Sequence, residues 1–164
     1  MKSIIHYAKE ILFIIITVTI LTNIVSLYRS QSVTDSPLKI ESIQLIDGSI
    51  YKIPSKKPIL LHFWATWCPV CKAEASNIAF LAKHFEVITV AVKSGDDAKI
   101  HQFLKEHNYH FQVFNDKNGA LASQFHISVF PTTFIYDKEH KVAFRDVGYS
   151  STLALYLKML WSDR

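Results

Sequence analysis

The chain has 164 residues, 49% of them hydrophobic and 20% charged, with a formal net charge of +4. Lys2, Lys9 and Arg29 against Glu10 supply +2 of that charge, and the remaining +2 is spread among mixed signs, which is not the footprint of a nucleic-acid binder. No internal repeat or low-complexity tract is present, so solenoids and linker-like chains are excluded as well.

Ile11 to Tyr28 forms an uncharged run of 18 residues dominated by Ile, Leu, Val and Phe, bounded by Lys9-Glu10 and Arg29. That length is near the lower limit of the ~17–25 residues that span a bilayer. It exceeds the ~7–15-residue apolar core of a secretory signal, and no Ala-x-Ala-like cleavage site follows between Asn23 and Ser36. The expectation is an uncleaved signal anchor over 1–29, in the membrane through 11–28. Lys2, Lys9 and the free amino terminus outweigh Arg29, which places the N-terminus in the cytoplasm and exports everything after it. A linker rich in Ser, Thr and Asp covers 30–37, leaving 38–164 as one domain large enough for its own core.

Within that domain, two alternating segments from Leu38 to Ile53 flank Asp47-Gly48, a strong hairpin turn signal. Ile59 to Trp64 is a short apolar run behind Lys56-Lys57-Pro58 and reads as a buried central strand. Val70 to His84 carries apolar residues at Ala75, Ile78, Ala79, Leu81 and Ala82 between polar ones, which predicts a helix. Val87 to Val92 follows as a second buried strand, then an amphipathic helix over Asp96 to His107, with Ile100, Phe103 and Leu104 on one side. A strand at Phe111 to Phe114 and a short helix from Gly119 to Phe125 come next. The strands Thr132 to Tyr136 and Val142 to Asp146 then enclose a turn at Asp137 to His140, before a final helix from Ser151 to about Trp161. Strands alternating with helices and closing in a hairpin predict an α/β layered sandwich.

The two cysteines stand together as Cys68-Pro69-Val70-Cys71, between the central strand and the first long helix. Pro69 suits the first helical position, where its missing N–H costs nothing. Cys68 then lies at a helix N-terminus, where unpaired N–H groups and the dipole stabilise a thiolate, the nucleophilic form in disulfide exchange. Cys71 shares its face, and across one turn the two Cα atoms reach the ~4.4–6.8 Å separation of a disulfide. The expected cycle is attack by Cys68, a mixed disulfide, and resolution by Cys71, with the direction of electron flow open. Zinc would need two further ligands, and no second Cys pair or spaced His pair follows. A purely structural bridge over so short a loop would contribute little stability.

The segment Phe63-Trp64-Ala65-Thr66-Trp67-Cys68-Pro69-Val70-Cys71-Lys72-Ala73-Glu74 resembles the active-site segment of thioredoxin-like proteins of the TlpA type. Within that group it is most similar to the ScsD-like protein disulfide oxidoreductases, and the likeness extends from about Leu38 onward. The resemblance implies a thioredoxin fold, a central mixed β-sheet flanked by helices, here with an N-terminal β-hairpin and preceded by one transmembrane helix. It also implies a periplasmic catalytic domain on the inner membrane, acting on protein thiols and disulfides, with a membrane electron donor or acceptor as a further partner. No organic cofactor or metal is implied beyond the Cys68–Cys71 disulfide.

Val129-Phe130-Pro131-Thr132-Thr133 matches the family's second element, in which a cis-proline faces the dithiol and the neighbouring backbone pairs with substrate. Trp67, Pro69, Val70, Phe130 and Pro131 are thereby expected to line the substrate groove. Many TlpA-type sequences have glycine where Val129 stands, so a narrower, more apolar groove is expected. Glu74 matches a glutamate that shapes proton chemistry at the dithiol; the plain alternative is an exposed first-turn acid favouring the helix dipole. His62, six residues before Cys68, stands where thioredoxin has a buried carboxylate, so it is either a proton acceptor or a satisfied core histidine. Phe63 is expected in the core, and Trp64 and Trp67 as partial cover of the dithiol, with Trp67 the more exposed. His84, His101, His107, His110, His126 and His140 lack ligand spacing. Two rival functions remain: a thiol reductase of cytochrome c maturation, and a copper-binding or copper-tolerance protein using the cysteines as soft ligands.

Overall fold

The structure is a computed structural model and describes residues 7, 9–14, 16–17, 21, 37–38 and 40–164. The membrane span expected over 11–28 and the linker over 30–37 lie largely outside the described residues. Among the described residues, no helix is long and apolar enough to cross a membrane.

From Ser42 onward the order is β1 (Ser42–Gln44), β2 (Ile50–Lys52), β3 (Ile59–Trp64), α1 (Pro69–Leu81), β4 (Glu86–Val92), α2 (Asp97–Glu106), β5 (Gln112–Asp116), α3 (Ala120–Gln124), β6 (Thr132–Tyr136), β7 (Val142–Val147) and α4 (Thr152–Ser162). β1 and β2 form an antiparallel hairpin. Gly48 takes φ +83° at its turn, a conformation open to glycine at little cost. The larger sheet has the order β5-β4-β3-β6-β7, with β3, β4 and β5 parallel and β6 and β7 antiparallel to them in turn. This is the mixed α/β sheet expected of a thioredoxin-like fold.

Strand periodicity sorts the core into two sides. Ile59, Leu61 and Phe63 of β3 join Ile88, Val90, Val92, Phe134 and Tyr136 on the side covered by the β1–β2 hairpin and α3. On the opposite side Leu60 packs with Ile78 and Leu81 of α1 and Leu155 and Met159 of α4. Trp64 packs there too, with Cys68, Cys71, Ala91 and the α2 residues Ile100 and Phe103. Between those two clusters runs a polar row. Thr89 of β4 is in register with His62 of β3, His62 with Thr133 of β6, and Thr133 with Asp146 of β7.

The first long helix ends at Leu81, three residues short of the expected His84. Lys83 and His84 donate to carbonyls three residues back, at Phe80 and Leu81. This tight closure lets Phe85 and Val87 turn inward to pack beneath α1. Trp64 also departs from expectation: it is 2% exposed, so it lies beneath the dithiol rather than partly covering it. Phe103 and Phe111 close around its indole at ring separations of 5.3 and 6.0 Å.

Candidate active site

β3 delivers the chain to the site at its C-terminal end. Cys68 adopts an extended conformation (φ −88°, ψ 114°) as the N-cap of α1, with Pro69 in the first turn. The Cys71 amide donates to Cys68 Sγ at 3.1 Å, the capping bond a serine hydroxyl makes elsewhere. That bond and the helix dipole both favour negative charge on Cys68 once the pair is reduced. Here the two sulfurs are joined as a disulfide, with Cα atoms 5.3 Å apart. Cys68 retains 5% exposure and Cys71 only 1%, so an incoming sulfur meets Cys68 first.

Around the pair, Trp67, Pro69 and Val70 are exposed. The Trp67 indole is pinned by its Nε1–H, which donates to the Lys93 carbonyl at 3.1 Å. Its ring stands edge-on to Phe130, 5.8 Å away. That contact ties the cysteine loop to the Phe130–Pro131 peptide, which is cis, as the motif leads one to expect. Gly148 donates to the Pro131 carbonyl at 2.8 Å, and Thr132 Oγ1 to the Val129 carbonyl at 2.8 Å, so the loop is held from both ends. Val129 and Phe130 are half-buried. A cleft of about 350 Å³ opens beside Trp67, bordered by Ser94, Gln102 and Phe103.

Glu74 faces the sheet one helical turn beyond Cys71 and is fully buried, which removes the reading of an exposed first-turn acid. Neither carboxylate oxygen finds a hydrogen-bond partner among the described residues. Burial pushes its pKa up from about 4.5 to about 8, the Ser150 backbone pulls it part of the way back, and the nearby Asp146 charge adds to the rise. A carboxylate in that range matches the proton affinity of a thiol, about 8.5.

His62 is 2% exposed, and its Nδ1 lies 2.9 Å from Thr133 Oγ1. Burial pulls the imidazole down to about 3, so it stays neutral and is a weak base. Asp146, Lys158 and Ser150, none of them marked by a sequence motif, gather at the β7–α4 junction. Lys158 Nζ is 2.7 Å from Asp146 Oδ2, and Ser150 Oγ donates to the same oxygen at 3.1 Å. One signal was present: Lys158 is the only charge in the otherwise apolar stretch Thr152 to Trp161. Among the described residues, no group of three or more His, Cys, Asp or Glu is placed to hold a metal ion.

Residues 33–145 match the model of the AhpC/TSA family. A thioredoxin-like protein of Haemophilus influenzae is 31% identical, over 94% of this chain and 94% of that one. The thiol:disulfide interchange protein DsbE of Vibrio cholerae is 33% identical, over 93% and 96%. Among solved structures, a secreted Mycobacterium tuberculosis disulfide oxidoreductase homologous to Escherichia coli DsbE superposes with a TM-score of 0.64. It is 20% identical, with 73% of this chain and 94% of that chain covered, a likeness of fold alone.

Proposed function

The chain belongs to the AhpC/TSA family and is a thioredoxin-like protein-disulfide oxidoreductase, and on that premise we propose that it works as a membrane-anchored catalyst of the TlpA type, ScsD-like, with its domain in the periplasm. The anchor is the uncharged run 11–28, and its flanking charges favour an exported domain. The observation that carries the site is the Cys71 amide bonded to Cys68 Sγ at the mouth of α1, with a buried, proton-avid Glu74 one turn beyond.

In the reductive direction, Cys68 thiolate attacks one sulfur of a substrate disulfide. A mixed disulfide forms and the other substrate sulfur leaves as a thiolate, which takes a proton from water. In molecules whose Glu74 is ionised, a fraction that grows as pH approaches 8, Cys71 passes its thiol proton to the Glu74 carboxylate and attacks Cys68 Sγ. The second substrate sulfur leaves, the Cys68–Cys71 disulfide closes, and two electrons have passed to the substrate. The oxidative direction runs through the same steps in reverse. Trp67, Pro69, Val70, Phe130 and Pro131 form the rim on which the substrate chain rests. Neutral His62 supports the sheet beneath this chemistry.

In Cys71→Ser, substrates stay on Cys68 as mixed disulfides, seen as reductant-sensitive high-mass species that Cys68→Ser lacks. A clean absence of trapped partners would favour a pure binding module. A reductase of cytochrome c maturation is the second reading, and it uses the reductive direction of the same steps. The equilibrium potential against a thiol buffer separates the two uses: near or below about −270 mV marks a reductase, near about −120 mV a disulfide donor.

A further inference from the structure

Glu74 has no hydrogen-bond partner of its own among the described residues, yet it lies under a well-connected polar assembly. Asn77, three residues further along α1, donates from Nδ2 to the Ser150 carbonyl at 3.0 Å and accepts from Thr152 Oγ1 at 2.8 Å. Ser150 Oγ in turn donates to Asp146, and Asp146 pairs with Lys158 of α4. The β7–α4 junction is thereby clipped onto α1 directly over the buried acid. Glu74 is sealed from solvent, whereas the side chains of Asp146 and Lys158 retain 13% and 29% exposure. The pair is thus the more exposed end of this polar assembly.

We propose that the Asp146–Lys158 ion pair is a positioning pair for the proton on Glu74: it sets how readily Glu74 takes the Cys71 proton, and with it the pH at which the mixed disulfide is resolved. The inference rests on the role given to Glu74 above. The charges are opposed in effect. The Asp146 carboxylate makes a second negative charge on Glu74 harder to form, and the Lys158 ammonium, 2.7 Å from Asp146 Oδ2, has the sign that would offset it. The other titratable groups on α1, β3, β7, α4 and the junction loop are Cys71 and Lys72, neutral His62, Arg145, Tyr156, and Tyr149, whose hydroxyl accepts from Asn77 Nδ2 at 3.3 Å. Arg145 alternates to the opposite side of its strand from Asp146. The junction loop from Gly148 to Ser151 contributes no charge.

The test is the rate of Cys68–Cys71 closure from a preformed glutathione mixed disulfide, measured on the full chain between pH 5 and 9.5. In Asp146→Asn the lysine is left uncompensated and the midpoint falls by roughly one pH unit; in Lys158→Met the aspartate is left uncompensated and it rises by roughly as much. The double variant returns towards the parent value, and Lys158→Arg keeps it. Midpoints that stay put in both single variants, whatever their stability, overturn the proposal. Glu74→Gln separates the two layers. Loss of the midpoint in Glu74→Gln, with no movement in the pair variants, removes the positioning role alone. A midpoint retained in Glu74→Gln removes the Glu74 reading and the proposal with it. If Asp146→Asn fails to fold, Lys158→Met against Lys158→Arg still decides, since only the former takes away the charge.

Discussion

The two sides of the central sheet are built on opposite rules. Under the hairpin and α3 the sheet is mainly apolar, with Phe63, Phe125 and Phe134 meeting at 5.2 to 6.0 Å, and its buried polar side chains Thr132 and Asp116 are hydrogen-bonded to backbone. Under α1 and α4 the apolar packing is interrupted by the row Thr89, His62, Thr133 and Asp146, with Glu74 above it. The first side carries stability. The second gives up some of it, because a buried carboxyl without a partner is costly, and on the role proposed for Glu74 it gains a proton acceptor for Cys71.

Substitutions sharpen that contrast. Phe134→Ala, on the hairpin side, should cost about 3–5 kcal/mol in denaturant unfolding while leaving the pH profile of disulfide closure in place. Glu74→Gln should do the reverse. The acid is protonated in the fold up to about pH 8 but ionises near 4.5 when unfolded, so Glu74 removes stability as pH rises from about 4.5 towards 8. His62, neutral in the fold down to about 3, adds stability as pH rises towards 6.5, and the net decline falls between about 6.5 and 8. By pH 7 the Glu74 loss is about 3 kcal/mol, from roughly 2.5 pH units at about 1.4 kcal/mol each. Glu74→Gln should therefore be more stable than the parent at neutral pH by an amount of that order, without the decline between about pH 6.5 and 8, yet slower to resolve. Unfolding midpoints that still fall between about pH 6.5 and 8 in Glu74→Gln would place the linkage elsewhere. The smallest effect is expected from Thr133→Val, which strips His62 Nδ1 of its partner and should cost about 1–3 kcal/mol, with activity near the parent's. A large loss of turnover there would restore His62 to the proton path.

Much of this architecture is legible in the chain itself. The Asp47-Gly48 turn, the uninterrupted Ile59 to Trp64 run and the Cys68-Pro69 helix start each carry a local signal, and each element stands within a few residues of where its pattern puts it. What depends on distant partners is not legible. Trp64 is buried because the crossover through α2 brings Phe103 and Phe111 over it, and nothing near Trp64 announces that. His62 could be singled out, but its partner is 71 residues away and is given only by strand register. The Asp146–Lys158 pair needs both the depth of β7 in the sheet and the docking of α4. Glu74 is marked by resemblance, whereas its burial follows from the closure of the β7–α4 junction over α1.

The polar row also bears on how the strands find one another. A slip of β6 by one residue against β3 would carry Thr133 to the hairpin side, among Phe63 and Val90, and bring Phe134 beneath α1. His62 and the displaced hydroxyl would each lose a partner, at about 1–3 kcal/mol apiece, and the phenylalanine cluster would be broken. Mispaired but compact states are penalised twice. The side chains that interrupt the apolar packing thus serve as a key for β6, lowering the number of alternative pairings that compete with the native one during folding.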